Sequence, residues 1–139
     1  MIVLCHGVYD ILHIGHFRHL REARGWLVNG SGKLVVSITA AEYVDKGPGR
    51  PAHTDAERCE QLRACRFVDE VYVCKEPTAI TALLEFRPHV FAKGIDYADR
   101  GIRAEEADAC RILGTEVRYT MSDKRSVSEL TSRFNGGHA

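Results

Sequence analysis

Ile2-Val3-Leu4-Cys5-His6-Gly7-Val8-Tyr9-Asp10-Ile11-Leu12-His13-Ile14-Gly15-His16 opens the chain and decides how the rest is read. Ile2 to Cys5 is a short apolar run, which reads as a buried strand. Gly7 lets the chain leave that strand in a conformation that other residues resist. From about Gly15 to Arg24, Phe17, Leu20 and Ala23 recur at three-residue spacing and predict a helix with one inward face. Strand, loop and helix start are therefore contiguous. His13 and His16 stand where free N–H groups and the helix macrodipole attract phosphate. Gly15 removes a side chain where a ligand would approach. Two histidines so placed can donate to phosphate oxygens and stabilise charge developing on phosphorus. Surface histidines on a loop and a metal site made with His19 are the plainer alternatives, and the strand–turn–helix context disfavours both.

Further along, short apolar strands alternate with amphipathic helices. Strands are predicted at Leu34 to Ile38, Glu70 to Cys74, Val90 to Ala92 and Glu116 to Tyr119. A Thr54-x-x-Glu57 capping box starts a helix to about Arg66, with Cys59, Leu62 and Cys65 inward. A helix over Thr78 to Phe86 directs Ile80, Leu83 and Leu84 inward. Another runs from Ala104 to Leu113 and stops at Gly114. Ser126-x-x-Glu129 opens a last helix to about Phe134. Tyr43 to His53, with Gly47-Pro48-Gly49 and Pro51, admits no regular element. Such alternation implies right-handed crossovers. The expected fold is α/β: a single Rossmann-like domain over residues 1–134 with a tail at 135–139. Its five-stranded, mostly parallel sheet carries helices on both faces, and ligands lie beyond the carboxyl ends of the strands.

The 139 residues suit one domain, and 19 basic residues balance 19 acidic ones. A zero net charge argues against a nucleic-acid partner, although a few cations suffice for a local anion pocket. Cys5, Cys59, Cys65, Cys74 and Cys110 include no Cys-x-x-Cys pair, so free thiols in a reducing compartment are expected. No apolar run approaches the ~20 residues of a membrane span. Asp10 interrupts the opening apolar stretch, so no signal-peptide pattern is present there and a cytoplasmic setting is expected.

Three more polar clusters follow strands. Asp45-Lys46-Gly47-Pro48-Gly49-Arg50-Pro51 is a flexible loop whose Lys and Arg can close over a triphosphate or an acceptor phosphate. In Lys93-Gly94-Ile95-Asp96-Tyr97, Gly94 permits close backbone approach, Asp96 can accept from a ribose hydroxyl or base amino group, and Tyr97 can pack on a base. Lys124-Arg125-Ser126-Val127-Ser128 joins two cations and two hydroxyls to a helix start, a second phosphate cradle. A solvated turn, a tight turn and an ordinary cap are the plain alternatives.

Gly7 to His16 resembles the first signature of the cytidylyltransferase-like nucleotidyltransferases. That superfamily includes glycerol-phosphate cytidylyltransferase and the adenylyltransferase half of the bifunctional heptose-phosphate enzyme. The resemblance runs from Ile2 to about Phe134, with a long loop at Trp26 to Gly32 as its main departure. Lys46-Gly47…Arg50-Pro51 and Lys93-Gly94…Asp96-Tyr97 resemble the heptose-phosphate adenylyltransferases, with Ile95 in place of their second glycine. Arg66-Phe67-Val68-Asp69-Glu70-Val71 is closer to the glycerol-phosphate enzymes.

The resemblance implies transfer of AMP or CMP from ATP or CTP, with magnesium, to a small phosphorylated acceptor such as a sugar or polyol phosphate. Pyrophosphate would leave. It makes His13, His16 and Lys46 catalytic. It places Gly7, Val8, Tyr9, Asp10, Gly15, Lys93, Gly94, Asp96, Tyr97, Ser126 and Ser128 on the nucleotide, and Arg58 and Arg66 on the acceptor phosphate. No metal site of the protein's own is implied; a homodimer is. A non-catalytic nucleotide-binding regulatory module is the alternative from another class.

Overall fold

A computed structural model describes residues 1–28 and 31–122. The strands are β1 (Ile2–Gly7), β2 (Lys33–Thr39), β3 (Glu70–Cys74), β4 (Val90–Gly94) and β5 (Glu116–Thr120). The helices are α1 (Ile14–Arg24), α2 (Asp55–Arg63), α3 (Ile80–Phe86), α4 (Asp96–Arg100) and α5 (Ala104–Leu113). The expected helix at Ser126, Lys124 and Arg125 beside it, the site residues Ser126 and Ser128, and the tail at 135–139 all lie outside the described residues.

All four strand pairings are parallel, in the order β3-β2-β1-β4-β5. β1 is central, with Leu4 level with Val35 of β2 and Phe91 of β4. A strand covered on both faces needs apolar residues at every position, which is why these segments read as continuous runs. Val3 and Cys5 join Leu34, Val36 and Ile38 under Leu20 and Ala23 of α1 and Leu62 of α2. Leu4 and Val35 face the other way, with Phe91, under Ala82 and Leu83 of α3 and Cys110 of α5.

The handedness of crossovers explains this division. The chain steps one way from β1 to β2 to β3, then returns across β1 to β4. Right-handed connections therefore place α1 and α2 on one face and α3 and α5 on the other. The reversal occurs between β1 and β4. In a sheet of this kind the crevice opens there, beyond the carboxyl ends of the strands.

Local chemistry sets the boundaries. Thr54 accepts from the Glu57 amide, and the Glu57 carboxylate accepts from the Thr54 amide, a reciprocal cap that opens α2. Gly114, at φ 73°, takes the left-handed conformation that closes α5. Three expectations change. α2 ends at Arg63, and the Cys65 amide turns back onto the Leu62 carbonyl instead of continuing to Arg66. Leu84 is exposed, because the buried side of short α3 is carried by Ala79, Ala82 and Leu83. The segment after β4, expected as a loop, winds into α4.

All five cysteines are free thiols, four of them buried. Burial pushes the Cys5 thiol up to about 12, which leaves it protonated and unreactive. Among the described residues, no helix is long and apolar enough to cross a membrane.

Candidate active site

The loop from β1 to α1 begins with a close fit. A side chain on Gly7 would meet the Tyr9 ring at 3.1 Å. Tyr9 sits at φ 49°, unusual for a residue with a side chain, and its buried ring anchors that strain in the core. The same ring lies 5.4 Å from the His16 ring, so the strained turn also backs a histidine of the site.

His13 is the N-cap of α1. Its Nδ1 accepts from the Gly15 amide at 3.1 Å, and His16 Nδ1 accepts from the His13 amide at 3.2 Å. The two imidazoles thus form the reciprocal box that a Ser or Thr and a Glu usually form. A ring nitrogen that accepts carries no proton, so in the neutral rings both protons sit on Nε2. Capping thereby assigns each histidine one tautomer and makes Nε2–H its donor. No acidic residue occupies the first turn of α1 itself.

The loop after β2 is tied down at both ends. Arg58 is fully buried; Nη1 donates to the Val8 carbonyl at 2.9 Å and the Thr39 carbonyl at 2.7 Å. Its Nη2 donates to Asp55 at 2.6 Å, and the same Asp55 oxygen accepts from the Ala41 amide. Asp10, from the first loop, accepts from the amides of Ala52 at 2.7 Å and His53 at 2.9 Å. Burial pushes the Asp10 carboxyl up, but these amides and the Arg50 guanidinium outweigh it and hold it below the usual range. Between the two anchors Gly47 and Gly49 take positive φ with open space around them, and Lys46 reaches the cavity.

On the other side, Lys93 is buried at the end of β4. Its ammonium lies 3.6 Å from Glu106 and over the rings of Phe91 and Tyr97. Glu106 also accepts from the Ala79 amide at 2.9 Å, so it joins the start of α3 to the Lys93 head group. Asp96, in the first turn of α4, pairs with Arg100 at 3.3 Å. His19 turns to the Thr120 hydroxyl at 2.7 Å.

One cavity of about 880 Å³ gathers these groups. Of the residues expected from sequence, Gly7, Val8, Tyr9, Asp10, His13, Gly15, His16, Lys46, Lys93, Gly94, Asp96 and Tyr97 all line it. Two do not. Arg58 is sealed inside, spending its guanidinium on protein groups, and so positions the loops instead of touching an acceptor phosphate. Arg66 is exposed and lies over the Phe67 ring, away from the cavity. Arg50, Arg100 and Arg103 supply the cavity with further cations. Arg100, Arg103, His6 and Glu106 were not legible as site residues. Arg50 stands in a recognised loop, but the others come from segments with no motif.

His6 also lines the cavity, with Nδ1 2.7 Å from the Ser37 hydroxyl and Nε2 3.3 Å from the Thr39 hydroxyl. Burial lowers its pKa to about 3, with Lys93 and Arg103 adding to the shift and Glu76 opposing it. The folded chain therefore keeps His6 neutral, whereas the unfolded chain protonates it below about pH 6.5. Stability from this group is complete above pH 6.5 and is lost as pH falls toward 3. Thermal unfolding at pH 7.5, 6.5 and 5.5 should show a loss on the order of 1 kcal/mol per pH unit below 6.5. His6→Gln should flatten that slope. An equal slope in both proteins would assign the loss elsewhere.

A parallel sheet reversing beside a histidine-capped helix and a cation-rich cavity has the form of a nucleotidyltransferase. Residues 4–126 match the family described as Cytidylyltransferase-like, and the chain belongs to that family of enzymes. Among curated relatives, it is 37% identical over 107 residues to Bifunctional protein HldE of Koribacter versatilis, covering 76% of this chain and 21% of that protein. It is 38% identical over 120 residues to Bifunctional protein HldE of Azotobacter vinelandii, covering 84% of this chain and 24% of that protein. The chain thus spans about a quarter or less of these relatives' length. Among solved structures, the lipopolysaccharide core biosynthesis protein of Thermoplasma volcanium superposes with a TM-score of 0.68. That match has 24% identity and covers 91% of this chain and 98% of that one. Pantothenate synthetase of Thermus thermophilus shares the fold at a TM-score of 0.55 and 16% identity, over 88% of this chain and 56% of that one.

Proposed function

We propose that this chain moves AMP from ATP onto a sugar phosphate and releases pyrophosphate. The observation that carries the reading is the pair of capping histidines, each with Nε2–H as its donor, at a helix N-terminus that opens on the cavity. ATP is placed ahead of CTP because the two loops that resemble the heptose-phosphate adenylyltransferases, at Lys46 and Lys93, both line the cavity. Arg66, the mark of the glycerol-phosphate pattern, lies outside it. The relatives named HldE support the same branch.

In this reading an oxygen of the acceptor phosphate attacks the α-phosphorus, and the bond from that phosphorus to the β-bridging oxygen breaks. A phosphate monoester is largely dianionic at neutral pH, so its attack needs no general base. The protein positions and neutralises. His13 and His16 donate to oxygens whose charge grows in the transition state. Lys46 closes over the phosphates from its mobile loop, and Lys93 adds charge from the end of β4. Asp96 and Tyr97 take the nucleoside, and Ser126 and Ser128 hold the β- and γ-phosphates. Magnesium would enter on the triphosphate's own oxygens and neutralise them; among the described residues no three His, Cys, Asp or Glu side chains gather to hold a metal. A cytoplasmic homodimer acting on small molecules completes the reading.

The test is pyrophosphate release with magnesium, using ATP and CTP separately against a panel of sugar and polyol phosphates. Release that needs both ATP and one sugar phosphate, and falls at least ~10-fold in Lys46→Ala, is the expected result. Release with CTP alone would reverse the donor. Nucleotide binding without release from any pair would point to a binding module.

A further inference from the structure

Arg50 is a cavity residue whose geometry is set by a buried partner. Its Nε donates to Asp10 at 3.1 Å, and the Asp10 side chain is only 2% exposed. The same carboxylate holds the amides of Ala52 and His53, two and three residues further along. Asp10 therefore fixes both the guanidinium and the backbone that carries it. A guanidinium offers one edge through Nε and another through its two Nη groups. With Nε engaged, the Nη edge is left. Among the described residues it makes no hydrogen bond, and Arg50 lines the cavity. A planar two-donor edge matches two oxygens of a phosphate.

Strand order indicates which phosphate. The proposed nucleoside residues Asp96 and Tyr97 follow β4, on one side of β1. Arg50 arrives in the loop after β2, on the opposite side. A donor nucleotide lying between β1 and β4 leaves the β2 side for the acceptor. Lys46 shares that loop, but it stands between two unhindered glycine turns and the anchors, whereas Arg50 is held directly by Asp10.

We infer that Arg50 binds the anionic phosphoryl group of the acceptor through its Nη edge, and that Asp10 is the positioning residue that aims it. The assignment rests on the proposed nucleotidyl transfer for the word acceptor, but the anion site itself does not need it.

The experiment uses inorganic phosphate as the probe, titrated calorimetrically into the full chain saturated with ATP, so that donor phosphates already fill their own site. Arg50→Ala should weaken phosphate at least about ten-fold while changing ATP affinity less than about three-fold. Arg50→Lys, which keeps the charge and loses the planar edge, should recover little of that loss. Asp10→Asn should weaken phosphate to a similar extent, and the double variant should bind no worse than Arg50→Ala alone. Hydrogen exchange at the Ala52 and His53 amides should accelerate in Asp10→Asn and not in Arg50→Ala. Phosphate affinity unchanged in Arg50→Ala, or fully restored in Arg50→Lys, would overturn the binding assignment. Losses that multiply in the double variant would overturn the positioning role of Asp10. If the parent chain binds neither ATP nor CTP, the nucleotidyl-transfer reading falls. Phosphate binding that still depends on Arg50 would then uphold the anion site.

Discussion

His13→Asn should fold as the parent does and lose about 10²–10³ in kcat, the usual loss when one donor to a developing oxyanion is removed. The substitution separates two functions of one ring. In the parent, Nδ1 accepts from the Gly15 amide while Nε2 carries the proton. An asparagine oxygen reaches about where Nδ1 stands, and asparagine is among the best N-caps, so α1 keeps its start. Nothing replaces the donor at Nε2. His13→Gln reverses the exchange, because its amide nitrogen extends toward the Nε2 position while the cap is lost. It should retain more activity than His13→Asn and melt lower, by roughly the ~1 kcal/mol of an N-cap. Steady-state kinetics beside thermal melts would read both variants. ATP affinity should stay within about three-fold, since the donors act mainly on charge that appears in the transition state. A His13→Asn protein with parental kcat would remove the histidine from the chemistry. His16→Ala should lose a similar factor. The double variant should lose little more than either, as residues acting on one transition state are not additive.

Arg58→Ala should produce the largest loss of stability, about 3–5 kcal/mol, the range seen when one member of a buried charged network is removed. The Val8 and Thr39 carbonyls would lose their shared donor, and a fully buried side chain would leave a cavity. Asp55 would suffer less, because its side chain is 41% exposed and water can replace the guanidinium. The parent arrangement is itself imperfect, since Arg58 Nε is buried with no hydrogen-bond partner among the described residues. Arg58→Met, which restores volume without donors, should therefore recover part of the loss. For a domain of this size the expected fall in Tm for Arg58→Ala is roughly 10–20 °C. A Tm within a few degrees of the parent would mean that solvent reaches the two carbonyls and that the clamp between loops is unimportant. Should the variant fold, its activity should also fall, because Arg58 ties the first loop to the end of β2 and, through Asp55, to the start of the second.

Much of this was readable in one dimension because the signals were local. An uninterrupted apolar run must be covered on both faces, so the strands announced a parallel sheet before any pairing was known. Thr54 with Glu57, and Gly114, marked helix ends through contacts spanning a few residues. The first loop was legible for the same reason: strand, glycine, histidines and helix start occur in unbroken order.

Side chains whose partners are distant in sequence were not legible. Arg58 was expected on the acceptor phosphate from the resemblance alone, and only the folded chain shows it reaching Val8, fifty positions earlier. Asp10 belonged to a recognised loop, yet its partners lie about forty residues on. Arg103 and Glu106 enter the cavity because the crossover to β5 brings the start of α5 beside β4. The sequence by itself determined the order of elements, the covered sheet and the capped histidine loop, since each follows from hydrophobic period and short-range hydrogen bonding. The tertiary structure decided which cations face the cavity and which are buried as struts. That choice depends on burial and on partners supplied by other strands, and no local pattern encodes it.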